Sequence, residues 1–172
     1  CVADTDTAAF ADVLLPAMGW GEKDGTVTNS ERCISRQRKL VEPQGQARPD
    51  WWIVSQVARR LGFAEAFDYG HPAQIFSEHA QLSAFENEGS RDFDIGGLAD
   101  LGADAYEQLQ PTYWPRPATG STAEPLSDGR FFTASGRAQF IPVTATLPDS
   151  AAQSPSLLAL NTGRLRDQWH TM

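Results

Sequence analysis

Thr162, Gly163, Arg164, Arg166, Trp169, His170 and Thr171 crowd into one short stretch, directly after the apolar run Leu157-Leu158-Ala159-Leu160. If that run is a buried strand, the stretch lies at its carboxyl end, where α/β and barrel proteins commonly hold ligands. Its chemistry suits an anion. Gly163 lets a backbone N–H approach closely, and Arg164 can hold a phosphate through two parallel hydrogen bonds. Arg166, Trp169, His170 and Thr171 add further donors. The competing reading is a surface turn whose arginines are solvated rim charges.

A second polar block, Gly21-Glu22-Lys23-Asp24-Gly25-Thr26-Val27-Thr28-Asn29-Ser30-Glu31-Arg32, sets Lys23 between two acids in a turn. Such a lysine is either a solvated charge or a cation offered to a ligand. Asp50 follows a loop rich in Pro and Gly and opens a helix. It is first of all a helix cap, but a carboxylate there could also accept two hydrogen bonds from a purine- or pterin-like N–H/NH2 edge. Spacing leaves both pairs of readings open.

No catalytic residue is assigned. The chain has no Gly-x-Ser-x-Gly, His-Glu-x-x-His, Gly-x-x-x-x-Gly-Lys or Gly-x-Gly-x-x-Gly. His71, His79 and His170 are scattered, and His79 reads as a packed or rim residue on a helix face. Cys1 and Cys33 are far apart and lack metal-ligand spacing, so they read as two reduced thiols and no metal site is expected.

The totals fit a folded protein of one ordinary domain or two small ones. The chain has 172 residues, of which 41% are hydrophobic, with 14 glycines. Fourteen basic against 22 acidic residues give a net charge of -8, which argues against general nucleic-acid binding. One anionic ligand remains compatible, because a few local cations and N–H groups can hold it. Apolar runs fall far short of the roughly 20 residues of a membrane helix, and no basic-then-apolar leader opens the sequence. The expected location is cytoplasmic. The sequence begins at Cys1 and stops inside a polar block at Met172, so it reads as a piece of a larger enzyme.

The elements that must position these blocks give an α+β fold. Thr5 or Asp6 caps a short helical turn. Residues 11–16 read as a buried strand of an α/β layer, closed by Pro16. Residues 26–28 are extended, and 32–42 form an irregular strand. A helix is expected over about 51–61, with Asp50 as its cap and Trp51, Val54, Val57, Ala58 and Leu61 inward, ending at Gly62. A second helix runs over about 72–85, with Pro72 in its first turn and Ile75, Phe76, His79, Leu82 and Ser83 inward. A third covers about 103–109, with Tyr106 and Leu109 inward. The proline-rich stretch 111–128 reads as an irregular connector. Residues 130–133 and 138–141 flank Ser135-Gly136 as a hairpin, and 144–156 is a linker. The organisation expected is 1–42, the end of an α/β layer with an extended segment; 43–143, a helical and hairpin region; 144–156, the linker; and 157–172, a strand with its loop. The first two helices would anchor one small core.

The run from Thr5-Asp6-Thr7-Ala8 through Ala11-Asp12-Val13-Leu14-Leu15-Pro16 to Trp20 and the Gly21–Arg32 block resembles the molybdopterin oxidoreductases. Gly45-Gln46-Ala47-Arg48-Pro49-Asp50-Trp51, Thr133 to Phe140 and Asn161 to Met172 match the same family. Ser83 to Gly96 and Arg164 to Met172 are similar to its assimilatory nitrate reductase branch. A formate dehydrogenase large subunit is the nearest rival, and a non-catalytic binding or scaffold module is the alternative from another class.

The resemblance implies a cofactor: molybdenum carried on two molybdopterin guanine dinucleotides, with a 4Fe-4S cluster on a part of the enzyme preceding Cys1. It implies that Lys23 and Asp50 contact the pterin. It also implies that Thr162, Gly163, Arg164, Arg166, Trp169, His170 and Thr171 wrap the dinucleotide, in the loop after the first strand of a C-terminal barrel domain. Nitrate would be the substrate of the whole enzyme. The partners would be the remainder of the same polypeptide and an electron-donor protein or domain, with no nucleic acid and no membrane span.

Overall fold

The computed structural model describes residues 5–120, 122, 124 and 126–145. A short helix, α1 (Asp6–Ala9), opens this part, with the Thr5 hydroxyl accepting from Ala8 N at 3.2 Å. A single 3-10 turn follows at Trp20–Glu22. Strand β1 (Gly25–Thr28) pairs antiparallel with β2 (Cys33–Gln37), with Thr26 opposite Arg36 and Thr28 opposite Ile34. The tight return between them is held by the Asn29 side chain, which accepts from Glu31 N at 2.9 Å and Cys33 N at 3.0 Å. This is the local bonding that favours Asn in turns.

Helix α2 (Asp50–Arg60) leads to α3 (Pro72–Ala84), a short α4 (Ala103–Glu107) and a two-residue strand, β3 (Thr112–Tyr113), which pairs antiparallel with β2. The sheet order is β1-β2-β3. His71 caps α3, its Nδ1 accepting from Ala73 N at 3.1 Å, while the Gln74 Oε1 accepts from His71 N at 3.0 Å. Pro72 occupies the first helical turn, where its missing N–H loses nothing. The core gathers Ile34 of β2, Ala73, Phe76 and Ala80 of α3, Ile95, Ala99 and Tyr106. Phe93, Leu98, Leu101, Leu109 and Trp114 pack around it.

The α+β class and the three main helices agree with the sequence, and Tyr106 faces inward as expected. Several expectations need correction. Residues 11–16 are no buried strand: they join no ladder, and Val13, Leu14 and Leu15 are exposed. A buried strand of this kind needs a paired neighbour and cover on both faces, and among the described residues 11–16 have neither. Asp50 is the first residue of α2 rather than its cap; Pro49 holds that position, with no side-chain cap. The apolar stripe of α2 is not inward either. Val54, Val57 and Leu61 are exposed, the buried residue is Ser55, and the core rests on α3 without α2.

The inner face of α3 is Ala73, Phe76, Ala80 and Ser83, whereas Leu82 and His79 are exposed. Close approach of residues 95–99 selects the small side chains for the inside. The stretch 111–128 is not wholly irregular, since it contains β3. No strand forms among the described residues of 126–145, so the 130–141 hairpin reduces to a turn in which Phe131 N donates to Gly136 O at 3.1 Å. One compact unit ends at Ala138; residues 139–145, in a second, adopt no regular structure. The expected remainder of the linker and the strand and loop at 157–172 lie outside the described residues.

Candidate cofactor-binding site

Three sets of hydrogen bonds, two between backbone groups and one to the Glu22 side chain, bring the Lys23 turn to the start of α2. Pro16–Met18 run beside Ala47–Arg48: Arg48 N donates to Pro16 O at 3.1 Å, and Met18 N donates to Arg48 O at 3.0 Å. Gly21 O accepts from Leu40 N at 2.8 Å and from Val41 N at 3.2 Å. The Glu22 carboxylate accepts from Gly19 N at 2.6 Å with one oxygen and from Gln44 N at 2.9 Å with the other. Glu22 therefore ties the 3-10 turn to the 38–49 loop.

Held this way, Lys23 reaches Asp50. Its ammonium lies 2.7 Å from the Asp50 carboxylate, with the two side chains 32% and 60% exposed. The hydrogen bond from Lys23 holds the Asp50 carboxyl below the usual carboxylate range; modest burial opposes this and the charge of Lys23 adds to it. The first N–H groups of α2 have no partner within the helix, as at any helix start, and Pro49 offers no side chain to cap them. A cation, a carboxylate and the N–H groups of a helix start thus share one partly wetted corner.

The other charges of the Glu22-Lys23-Asp24 block are also engaged, so none is the freely solvated charge that spacing allows. Asp24 accepts from Arg36 Nη1 at 2.7 Å. Arg36 Nη2 donates to both carboxylate oxygens of Glu107 on α4, at 2.9 and 3.0 Å, and the guanidinium lies 4.2 Å from the Tyr106 ring centroid. Burial pulls the Arg36 pKa down, but its bonds to Asp24 and Glu107 outweigh this and leave it raised. Sequence reading missed Glu22, Asp24 and Arg36 as parts of the site. Their partners lie up to 71 residues away, and no local spacing announces them.

Of the site residues expected from sequence, Lys23 and Asp50 are brought together. Thr162, Gly163, Arg164, Arg166, Trp169, His170 and Thr171 lie outside the described residues. The Ser83–Gly96 block proves to be a self-bonded loop: the buried Asn87 side chain accepts from Arg91 N at 2.8 Å and donates to Ser83 O at 3.2 Å. Cys33 is a free, buried thiol. Among the described residues no cluster of His, Cys, Asp and Glu could hold a metal ion.

Residues 1–60 match the family model described as molybdopterin oxidoreductase. The whole length is similar to enzymes called nitrate reductase: 50% identical over 99% of the chain in Klebsiella oxytoca, and 49% over 98% in Shewanella frigidimarina. The chain belongs to the molybdopterin oxidoreductase family. An F420-dependent formate dehydrogenase subunit alpha from Methanocaldococcus jannaschii is 34% identical over 97% of the chain. The chain spans about a fifth of the length of these relatives: 19% of each nitrate reductase and 23% of the formate dehydrogenase subunit. Both Lys23 and Asp50 fall inside the matched residues 1–60. No helix among the described residues is long and apolar enough to cross a membrane.

Proposed function

We propose that this chain is a cofactor-holding part of a molybdenum-dependent nitrate reductase, which converts nitrate to nitrite. The observation that carries the reading is the Lys23–Asp50 pair at the uncapped start of α2. Its donor set fits a pterin: a carboxylate suits an N–H/NH2 edge, and an ammonium suits ring oxygen or nitrogen. The pair is exposed enough for a ligand to exchange into it. Lys23 and Asp50 would bind and orient the pterin, with Glu22 and Asp24 fixing the turn that carries the lysine. Thr162, Gly163, Arg164, Arg166, Trp169, His170 and Thr171 would hold the diphosphate and sugar of the guanine dinucleotide form, as the first loop of a barrel domain. When bound, the molybdenum supplies the oxygen-atom transfer; this chain's residues supply position and charge.

A 4Fe-4S cluster, an electron-donor partner, a cytoplasmic location and a role in nitrate assimilation complete the proposal. So does the organisation into 1–42, 43–143, 144–156 and 157–172. Nitrate is favoured over formate by the higher identity to nitrate reductases, 50% against 34%. The test is to purify the enzyme that contains this chain and offer it each substrate. Nitrite formed from nitrate with a reduced dye, without dye reduction by formate, supports the reading. The reverse pattern would assign it to the formate dehydrogenases.

A further inference from the structure

Arg36 is a charged side chain that the fold encloses almost completely, with 1% of its side chain exposed. Its carboxylate partners sit at the surface, Asp24 at 38% and Glu107 at 44% exposure. Arg36 Nη1 also donates to the carbonyls of Gly25 and Gln37, and its Nε has no hydrogen-bond partner among the described residues. A buried ion network of this kind is weak as a source of stability, because desolvation offsets much of the attraction. What it supplies is direction. Lys23 has extended, polyproline-II-like backbone (φ -81°, ψ 147°), in which neighbouring side chains are turned about a third of a revolution from one another. Clamping Asp24 onto Arg36 therefore keeps Lys23 off the Arg36 side, and its ammonium meets Asp50 instead. Glu22 fixes the other flank through Gly19 N and Gln44 N, so the roll of the segment has little freedom left.

We propose that Arg36 is a positioning residue for Lys23: through its bond to Asp24 it fixes the roll of residues 22–24 and so presents the Lys23 ammonium to the cofactor. This rests on the reading of Lys23 as a cofactor contact. Arg36 itself touches no ligand. Its link to Glu107 ties the roll to α4 and hence to the core residue Tyr106, so the lysine is referenced to the folded body of the chain rather than to its own loop.

The test is a double-mutant cycle in the cofactor-loaded, full-length enzyme, read as the rate of pterin release and as molybdenum content, alongside the thermal midpoint. Arg36→Met risks unfolding, so the cycle uses Asp24→Asn, which keeps the size of a half-exposed side chain. Lys23→Met is expected to speed release about tenfold, the scale of one lost charge-assisted bond. Asp24→Asn is expected to speed it several-fold in the native background and not at all in the Lys23→Met background, because coupled residues fail to add. Arg36→Lys, which keeps the charge, should fall between native and Asp24→Asn. Additive effects of Asp24→Asn and Lys23→Met, or no effect of Asp24→Asn, would overturn the positioning role while leaving Lys23 as a contact. No effect of Lys23→Met would overturn both.

Discussion

At the residue scale the site turns on a carboxylate whose charged form a bonded lysine extends to lower pH. The Asp50 carboxyl is held below its ordinary value in the folded chain. As pH falls, the unfolded chain therefore takes up this proton first. The contribution of the pair to stability is complete above the ordinary aspartate value, about 3.9, and is lost as pH falls through the lower, folded value. With Asp50 60% exposed, the contribution is that of a surface pair, about 0.2–1 kcal/mol. Lys23→Ala is thus expected to raise the Asp50 pKa, followed by carboxyl NMR. It should destabilise the chain slightly at pH 7, and the difference from native should vanish in strong acid. An unchanged Asp50 titration would mean that the pair does not form in solution. So small a contribution to stability leaves both side chains free to serve a ligand.

At the element scale, α3 and the 94–98 segment form the frame behind the sheet. Ser83 of α3 accepts from Ile95 N at 2.9 Å and donates to Ala80 O at 2.7 Å. A Cβ on Gly97 would stand 2.8 Å from Arg116 O and 3.0 Å from Pro117 O, both backbone atoms. Gly97→Ala is therefore expected to destabilise by about 1–3 kcal/mol, the usual range for overpacking, measured by denaturant unfolding. A change within experimental error would mean that residues 116–117 yield easily. Ser83→Ala should lose about 1–3 kcal/mol by leaving the buried Ile95 N–H without an acceptor. Element positions were legible in the sequence where local signals act alone: Thr5 before α1, Pro72 in the first turn of α3, Gly62 after α2. Faces were not, because the side of a helix that is buried depends on what lies against it. Periodicity predicts an inward apolar stripe on α2, yet the core lies on α3. The buried place of Arg36 was invisible because its partners Asp24 and Glu107 lie 12 and 71 residues away; the His71 cap is local, completed by Gln74 three residues on, but histidine is not among the residues that usually cap a helix.

At the scale of the whole molecule, the apolar run at 13–15 and the apolar stripe of α2 both lie at the surface. Val13, Leu14 and Leu15, together with Val54, Val57 and Leu61, expose apolar area in a chain that spans 19% of its nitrate reductase relatives. The proposed partner is the remainder of the same polypeptide. The described residues also lack a metal-ligand cluster. The 172-residue chain supplied with molybdenum cofactor and a reduced dye is accordingly expected to form no nitrite above a blank. Turnover by this chain would mean that catalytic groups had been overlooked within it.

The central claim is that the Lys23–Asp50 corner holds the molybdenum cofactor. Its most direct test is the molybdenum and pterin content of the full-length enzyme carrying Lys23→Met together with Asp50→Asn, compared with native enzyme purified in the same way. The expected result is a thermal midpoint close to native, as befits an exposed pair, with cofactor content severely reduced and nitrate turnover falling in proportion. Native occupancy with native turnover would contradict the account and leave Lys23 and Asp50 as a surface ion pair.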